Sequence, residues 1–130
     1  MKGKSLMRLT KLLGFAMLAL AASPAVAADA NHGKELFQRC AKCHATTKDG
    51  GDSTLVGPTL FGIVGRKSAS LEDFRYSSAM RQSGITWTEQ DLKEYIADPQ
   101  AKVKGNRMAL TGSLEPAEID DIIAYLKTLK

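Results

Sequence analysis

Cysteine and histidine are almost missing from this sequence. Its 130 residues hold two cysteines, Cys40 and Cys43, and two histidines, His32 and His44. With so few donors a tetrahedral zinc site lacks ligands, and no imidazole beyond His32 is left to serve a serine or cysteine nucleophile. Long apolar runs are missing too. The longest, Leu12 to Ala22, covers eleven residues, well short of the roughly 20 that cross a bilayer as a helix. There is no internal repeat, low-complexity tract or linker. The basic excess is local: of 18 Lys+Arg against 14 Asp+Glu, four bases (Lys2, Lys4, Arg8, Lys11) lie in the first eleven residues, where there is no acid. Without them 14 bases face 14 acids, so the pI of about 9.1 gives no reason to expect a nucleic-acid partner.

A positive start, an apolar run and the A-x-A site Ala25-Val26-Ala27 are the three parts of a secretory signal. Residues 1–27 are therefore expected to be cleaved, leaving a single small domain at 28–130. The alternative is an uncleaved membrane anchor. Export would place the domain in the periplasm or an equivalent oxidising space.

Both cysteines belong to Cys40-Ala41-Lys42-Cys43-His44, the C-x-x-C-H pattern of covalent haem c attachment. On a helical turn the three side chains emerge on one face, so two thiols can form thioethers with a flat macrocycle while the imidazole reaches its iron. A redox dithiol or half of a zinc site shares the C-x-x-C spacing. The adjacent histidine, the missing zinc ligands and the absence of a strand-helix-strand pattern before Cys40 favour haem.

Periodicity gives a short helix from Gly33 to Cys43, carrying Leu36, Phe37 and Cys40 on one face. His32, just before it, is expected to be solvated. Asp49-Gly50-Gly51-Asp52 marks 46–57 as loop, Gly57-Pro58 is a rigid corner, and Gly62 and Gly65 keep the following apolar stretch out of any sheet. Ser77 to Ser83 forms a short helix before Gly84. Thr88 caps a helix with Leu92, Tyr95 and Ile96 inward, which Asp98-Pro99 ends. Residues 101–112 read as loop. Pro116 opens a last helix with Ile119, Ile122, Ile123 and Leu126 as its stripe. So few short helices make a thin core, and burial of a porphyrin is expected to complete it.

Residues 33–129 resemble a class I cytochrome c, of the mitochondrial-type and bacterial c2 branch. The resemblance runs through Gly33-Lys34-Glu35-Leu36-Phe37, the attachment motif, Val56-Gly57-Pro58-Thr59-Leu60, Gly62-Ile63-Val64-Gly65-Arg66-Lys67, Phe74-Arg75-Tyr76-Ser77-Ser78-Ala79-Met80, Gly84-Ile85-Thr86-Trp87-Thr88 and Ile123-Ala124-Tyr125-Leu126. It implies an all-α cytochrome c fold, short helices and Gly-rich loops wrapped around one haem c bound through Cys40 and Cys43. It also implies His44 and Met108 as axial ligands and a Pro58 carbonyl accepting the ring N–H of His44. Tyr76 and Trp87 would bond a haem propionate with Arg66 nearby, and the Tyr95 hydroxyl would lie by the methionine sulfur. For each aromatic, ordinary core packing is the alternative. Gly33 and Phe37 would meet Tyr125 and Leu126 where the terminal helices cross.

Three changes qualify the likeness. Asn106 stands where the ligand loop usually has threonine and Arg107 where it has lysine, which keep polarity and charge, and Lys104 stands where it usually has proline. A lysine there predicts a looser loop, with the amines of Lys102 and Lys104 in reach of the iron. The implied function is a soluble one-electron carrier, not an enzyme, that acts as a monomer. A basic rim at Lys42, Lys102, Lys104 and Arg107 would steer it to acidic docking sites on membrane electron-transfer complexes, with a cytochrome bc1-type donor and an oxidase or reaction-centre-type acceptor. Acids crowd the last segment, which predicts a dipole.

Overall fold

A computed structural model describes Gly3, residues 22–51 and residues 55–130. Of the leader, the basic residues and nearly all of the apolar run lie outside the described residues, as does Asp52 of the loop. The described elements are helical, joined by irregular chain: α1 Ala30–Leu36, α2 Ser78–Ser83, α3 Glu89–Ala97, α4 Pro99–Lys102 and α5 Pro116–Leu126. As expected there is no sheet among the described residues, and the only bridge pairs Lys67 with Thr86.

α1 starts three residues before the expected Gly33, because the Asp29 carboxylate accepts the N–H groups of Asn31 and His32 at 2.8 and 3.3 Å. It tightens into a 3₁₀ turn at Phe37–Arg39 and continues as hydrogen-bonded turns through the attachment motif. The Ser77 hydroxyl accepts Met80 N–H at 3.0 Å, and Gly84 at φ 64° closes α2 in a conformation that a side chain would strain. Thr88 caps α3 as expected, accepting Asp91 N–H at 3.1 Å.

Asp98-Pro99 ends α3, but the chain does not then become loop at Ala101. The Asp98 carboxylate accepts Gln100 and Ala101 N–H at 3.1 and 3.0 Å, and Pro99, whose ring presets a helical φ, occupies the first position of α4. The same dipeptide is a stop and a start. α5 opens on Pro116 and buries Ile119, Ile122, Ile123 and Leu126.

α1 crosses α5 at Gly33. A Cβ there would lie 1.9 Å from the Asp121 carbonyl oxygen, so only glycine lets the backbones approach this closely. One turn on, the rings of Phe37 and Tyr125 meet at 5.2 Å. Gly33 thus meets Asp121 and Ile122 of α5, while Phe37 takes the expected aromatic partner. Salt bridges Lys93–Asp120 at 2.6 Å and Lys127–Glu89 at 2.7 Å tie α3 to α5 at the surface, where such pairs contribute little. The irregular chain between the attachment motif and α2 is held from outside: Gly62 N–H bonds Leu129 O at 2.7 Å, and Gly65 N–H bonds Trp87 O at 2.7 Å.

His32 is exposed but not simply solvated. Its Nδ1 lies 2.7 Å from the Asp121 carboxylate, whose other oxygen accepts Asp29 N–H at 2.7 Å. The hydrogen bond to Asp121 raises the His32 pKa above its ordinary 6.5, against a smaller desolvation effect, with Glu35 and Asp29 adding to the rise. The same bond lowers Asp121 below 3.8. A raised histidine contributes stability that is complete below its unfolded pKa and is lost as pH rises through the folded one. A lowered aspartate contributes above its unfolded pKa and loses that contribution as pH falls. The difference in unfolding midpoint between the wild type and His32→Ala should therefore be greatest between about pH 4 and 6.5 and shrink on either side. A gap that is flat with pH, or an NMR pKa for His32 unchanged by Asp121→Asn, would remove the pair from the helix crossing.

Candidate haem site

The attachment motif is wound as a helical turn: Cys43 and His44 N–H groups bond Cys40 O at 3.0 and 2.9 Å. This puts Cys40, Cys43 and His44 along one wall of a cavity of about 660 Å³, in the range of small-molecule and cofactor sites. Its opposite walls come from the corner after Gly57, from the chain through Arg66 and Tyr76, from α3 and from the segment after α4. Every residue expected at the site lines this cavity: Cys40, Cys43, His44, Pro58, Arg66, Tyr76, Trp87, Tyr95 and Met108.

His44 Nδ1 lies 2.7 Å from Pro58 O. A carbonyl only accepts, so Nδ1 carries the proton and the neutral ring keeps its lone pair on Nε2. Burial lowers the His44 pKa, with Arg66 acting the same way against the Pro58 bond, which holds the ring neutral as a metal requires of it. Gly57 fixes the approach. A Cβ at that position would fall 2.5 Å from His44 Cε1 and 2.8 Å from Cys43 O, so the Gly57-Pro58 corner is a clamp on the imidazole as well as a turn. Burial pushes the Cys40 thiol up, and both cysteines are free.

Arg66 is half-buried, and its guanidinium donates to Thr59 O at 2.8 Å and Phe61 O at 2.9 Å. Four cationic residues line the cavity, Arg66, Lys67, Arg75 and Arg107, and no acidic one does among the described residues. A half-buried cation without an anion is costly, and this one faces a space that carboxylates could enter. Burial raises the Tyr76 phenol. The rings of Trp87 and Tyr95 pack tilted at 50° with centres 4.9 Å apart. Two thiols, a neutral imidazole with one free nitrogen, a thioether, apolar walls and an unanswered positive edge fit haem with its carboxylates.

Three features were not anticipated from sequence. The Tyr95 hydroxyl donates to Asn106 Oδ1 at 3.1 Å, so its proton is directed to the ligand loop's amide. Lys102 is not a free amine, because its Nζ lies 2.7 Å from Asp91 and 2.6 Å from Glu94 and these bonds raise its pKa. Lys104 is exposed, with no ion pair among the described residues. Finally, Met80 and Met108 both line the cavity. Met80 is buried in α2 with Ser83 Oγ 3.9 Å from its sulfur, whereas Met108 is half-buried on irregular chain.

This is the site of a protein with a thioether-bound haem. A family model described as "Cytochrome c" matches residues 30–130. Cytochrome c2 of Blastochloris viridis is 42% identical over 116 residues, covering 89% of this chain and 90% of that protein. Cytochrome c-550 of Nitrobacter winogradskyi is 43% identical over 98 residues, 75% of this chain and 88% of that one. Among solved structures, cytochrome cH from Methylobacterium extorquens superposes with a TM-score of 0.68 at 44% identity, covering 77% of this chain and 98% of that one. The chain belongs to the cytochrome c family: it has the family's fold, binds haem c covalently through two cysteines and is a monohaem electron carrier of the c2 type.

The walls of the cavity are core residues, Phe37, Ile63, Trp87 and Ile122 among them, so losing the tethered haem should undo the core. Cys40→Ser with Cys43→Ser is expected to yield a colourless, protease-sensitive product with little helix by circular dichroism. A folded, soluble, helical double mutant would show that haem is dispensable for the structure.

Proposed function

We propose that His44 and Met108 are the axial ligands of a haem held by Cys40 and Cys43, and that residues 28–130 work as a diffusible electron carrier in the periplasm after removal of residues 1–27. The observation that carries this is the convergence of all four side chains on one cavity in which the only ring nitrogen of His44 left with a lone pair is Nε2. Bound haem supplies a one-electron iron couple. The chain's own part is to bind and orient it and to exclude water. Pro58 O holds the imidazole proton at Nδ1 and so fixes the ring's direction. Arg66, Tyr76 and Trp87 line the cavity and would receive the propionates. Histidine and methionine together would hold the haem iron and favour its reduced state, so the reading is a carrier and not an enzyme. Met108 is preferred to Met80 because it follows Asn106 in the segment that resembles the ligand loop, whereas Met80 is committed to α2 and the core.

The leader reading rests on its basic start, apolar run and A-x-A site. Among the described residues no helix is long and apolar enough to cross a membrane. Mass spectrometry of the exported protein should give residues 28–130 plus one haem, and retention of 1–27 would overturn the cleavage.

Lys42, Lys104 and Arg107 are exposed, and as a basic rim they would steer a monomeric carrier to acidic sites on membrane redox complexes, a bc1-type donor and an oxidase or reaction-centre-type acceptor. No nucleic acid is involved. Exposed charges are screened over about 8 Å at physiological ionic strength. Lys42→Glu should therefore slow second-order reduction by a bc1-type complex about tenfold at low salt, with the difference closing as salt rises and the absorption spectrum unchanged. Rates indifferent to both salt and charge reversal would exclude the rim as the docking face.

A further inference from the structure

Asn106 is a buried polar residue, 7% exposed, and every hydrogen-bonding position of its side chain is in use. Oδ1 accepts from Tyr95 Oη at 3.1 Å and from Met108 N–H at 2.7 Å. Nδ2 donates to Pro99 O and Val103 O, each at 2.7 Å. An asparagine amide has two acceptor positions and two donor hydrogens, so the residue is saturated. The amide's orientation is also decided by its partners. Turned over, it would set two carbonyls against an oxygen and the Met108 N–H against an NH₂ group.

The main chain around it is tied as well. Asn106 N–H bonds Val103 O at 3.0 Å, and the Gln100 side chain donates to Asn106 O at 3.0 Å while accepting Gly105 N–H at 3.1 Å. This one amide therefore joins α3 through Tyr95, the start and end of α4 through Pro99 and Val103, and the backbone of Met108. Lys104 lies inside the loop so closed. A proline at 104 would stiffen the loop by fixing φ; in this chain hydrogen bonds stiffen it instead.

We infer that Asn106 is the positioning residue that holds Met108 on the iron, and that it governs how often the loop opens to release the methionine. The inference rests on the assignment of Met108 as ligand. Nothing in the arrangement touches the reacting atoms. Asn106 acts through the Met108 backbone, which its Oδ1 anchors two residues away. Opening of that loop is local unfolding, distinct from unfolding of the helical core.

The test uses ferric holoprotein and imidazole as the probe ligand, following displacement of methionine at the Met-to-iron charge-transfer band. Asn106→Ala removes all four side-chain bonds. Asn106→Asp keeps the acceptor but sets a carboxylate oxygen against two carbonyls. Each should admit imidazole about tenfold faster or more, the factor that corresponds to losing about one net buried hydrogen bond. Tyr95→Phe, which leaves the bond to Met108 intact, should have a smaller effect. Ile123→Val in α5 is the control, since it lowers the unfolding midpoint by a cavity outside the site and should leave imidazole entry unchanged. If Asn106→Ala does not mature, Asn106→Asp and Asn106→Thr carry the measurement.

Asn106 variants within about twofold of the wild type, or an Ile123→Val protein accelerated as much as they are, would overturn the positioning role. The ligand assignment fails separately: a charge-transfer band absent from the wild type, or surviving in Met108→Ala, would remove Met108 as ligand and the inference with it. A band that vanishes in Met108→Ala while the Asn106 variants stay at wild-type rates would overturn the inference alone.

Discussion

The structure depends on a cavity that its own side chains cannot fill. The described helices and the 3₁₀ turn bury Phe37, Leu92, Ile122, Leu126 and a few others, and these four side chains are among the walls of the 660 Å³ space. In an ordinary small domain the core faces would meet one another at close-packed density. In this one several of them meet across a gap the size of a cofactor, while α1 closes directly on α5 at Gly33 and Phe37–Tyr125, and α3 packs on α5 and α4. A flat apolar group tethered by Cys40 and Cys43 turns both faces of the gap into interior. The attachment chemistry is thus also a folding device, since the thioethers keep the largest single piece of the core from leaving.

The irregular stretches follow from the same constraint. A helix or strand presents a fixed surface, whereas the rim of a planar group needs donors and acceptors at particular points. The chain from Gly57 to Trp87 meets that need with glycines, turns and backbone bonds both within itself, such as Ser68 to Ile85, and to distant chain, such as Gly62 to Leu129. Arg66 shows the division of labour. Its guanidinium is anchored on two carbonyls of its own loop, Thr59 and Phe61, so its charge is held at the cavity edge without help from any helix.

Elements with local causes were legible in the sequence. The cap at Thr88, the proline at the start of α5 and its four-residue apolar stripe act within one or two turns, and each appears where the residues place it; Ser77, read as the first residue of its helix, is instead its cap. The motif and the order of the family segments likewise named for the site nine residues that line the cavity, but not Met80 or the cationic Lys67, Arg75 and Arg107. What escaped depends on partners far along the chain. His32 looks solvated until Asp121 is brought beside it, and Lys102 looks like a free cation until α3 turns Asp91 and Glu94 toward it. Asn106 reads as a threonine replacement that keeps polarity, because nothing in its neighbourhood announces that Tyr95 and Pro99 converge on it. α4 is a different case. Its signal, Asp98 before Pro99, was present, but a single turn is too short to show a period, and a proline after a helix is read first as a stop.

Charge is redistributed by these pairings in a way that counting did not foresee. Four of the acids in α3 and α5 are answered in place: Asp91 and Glu94 by Lys102, Asp120 by Lys93, and Glu89 by Lys127. Asp121 is answered by His32, and Glu118 is turned back to cap its own helix at Glu115 N–H. The acidic pole of the expected dipole is therefore largely neutralised at short range. Lys102 is withdrawn from the basic pole, but among the described residues Lys42 and Lys104 have no ion pair, and the cavity is lined by four cationic residues and no acidic one. The asymmetry that remains is a set of unanswered basic residues on a body close to neutral. Such a field acts over about a Debye length and orients an encounter without holding it, which suits a carrier that must leave each partner as readily as it arrives.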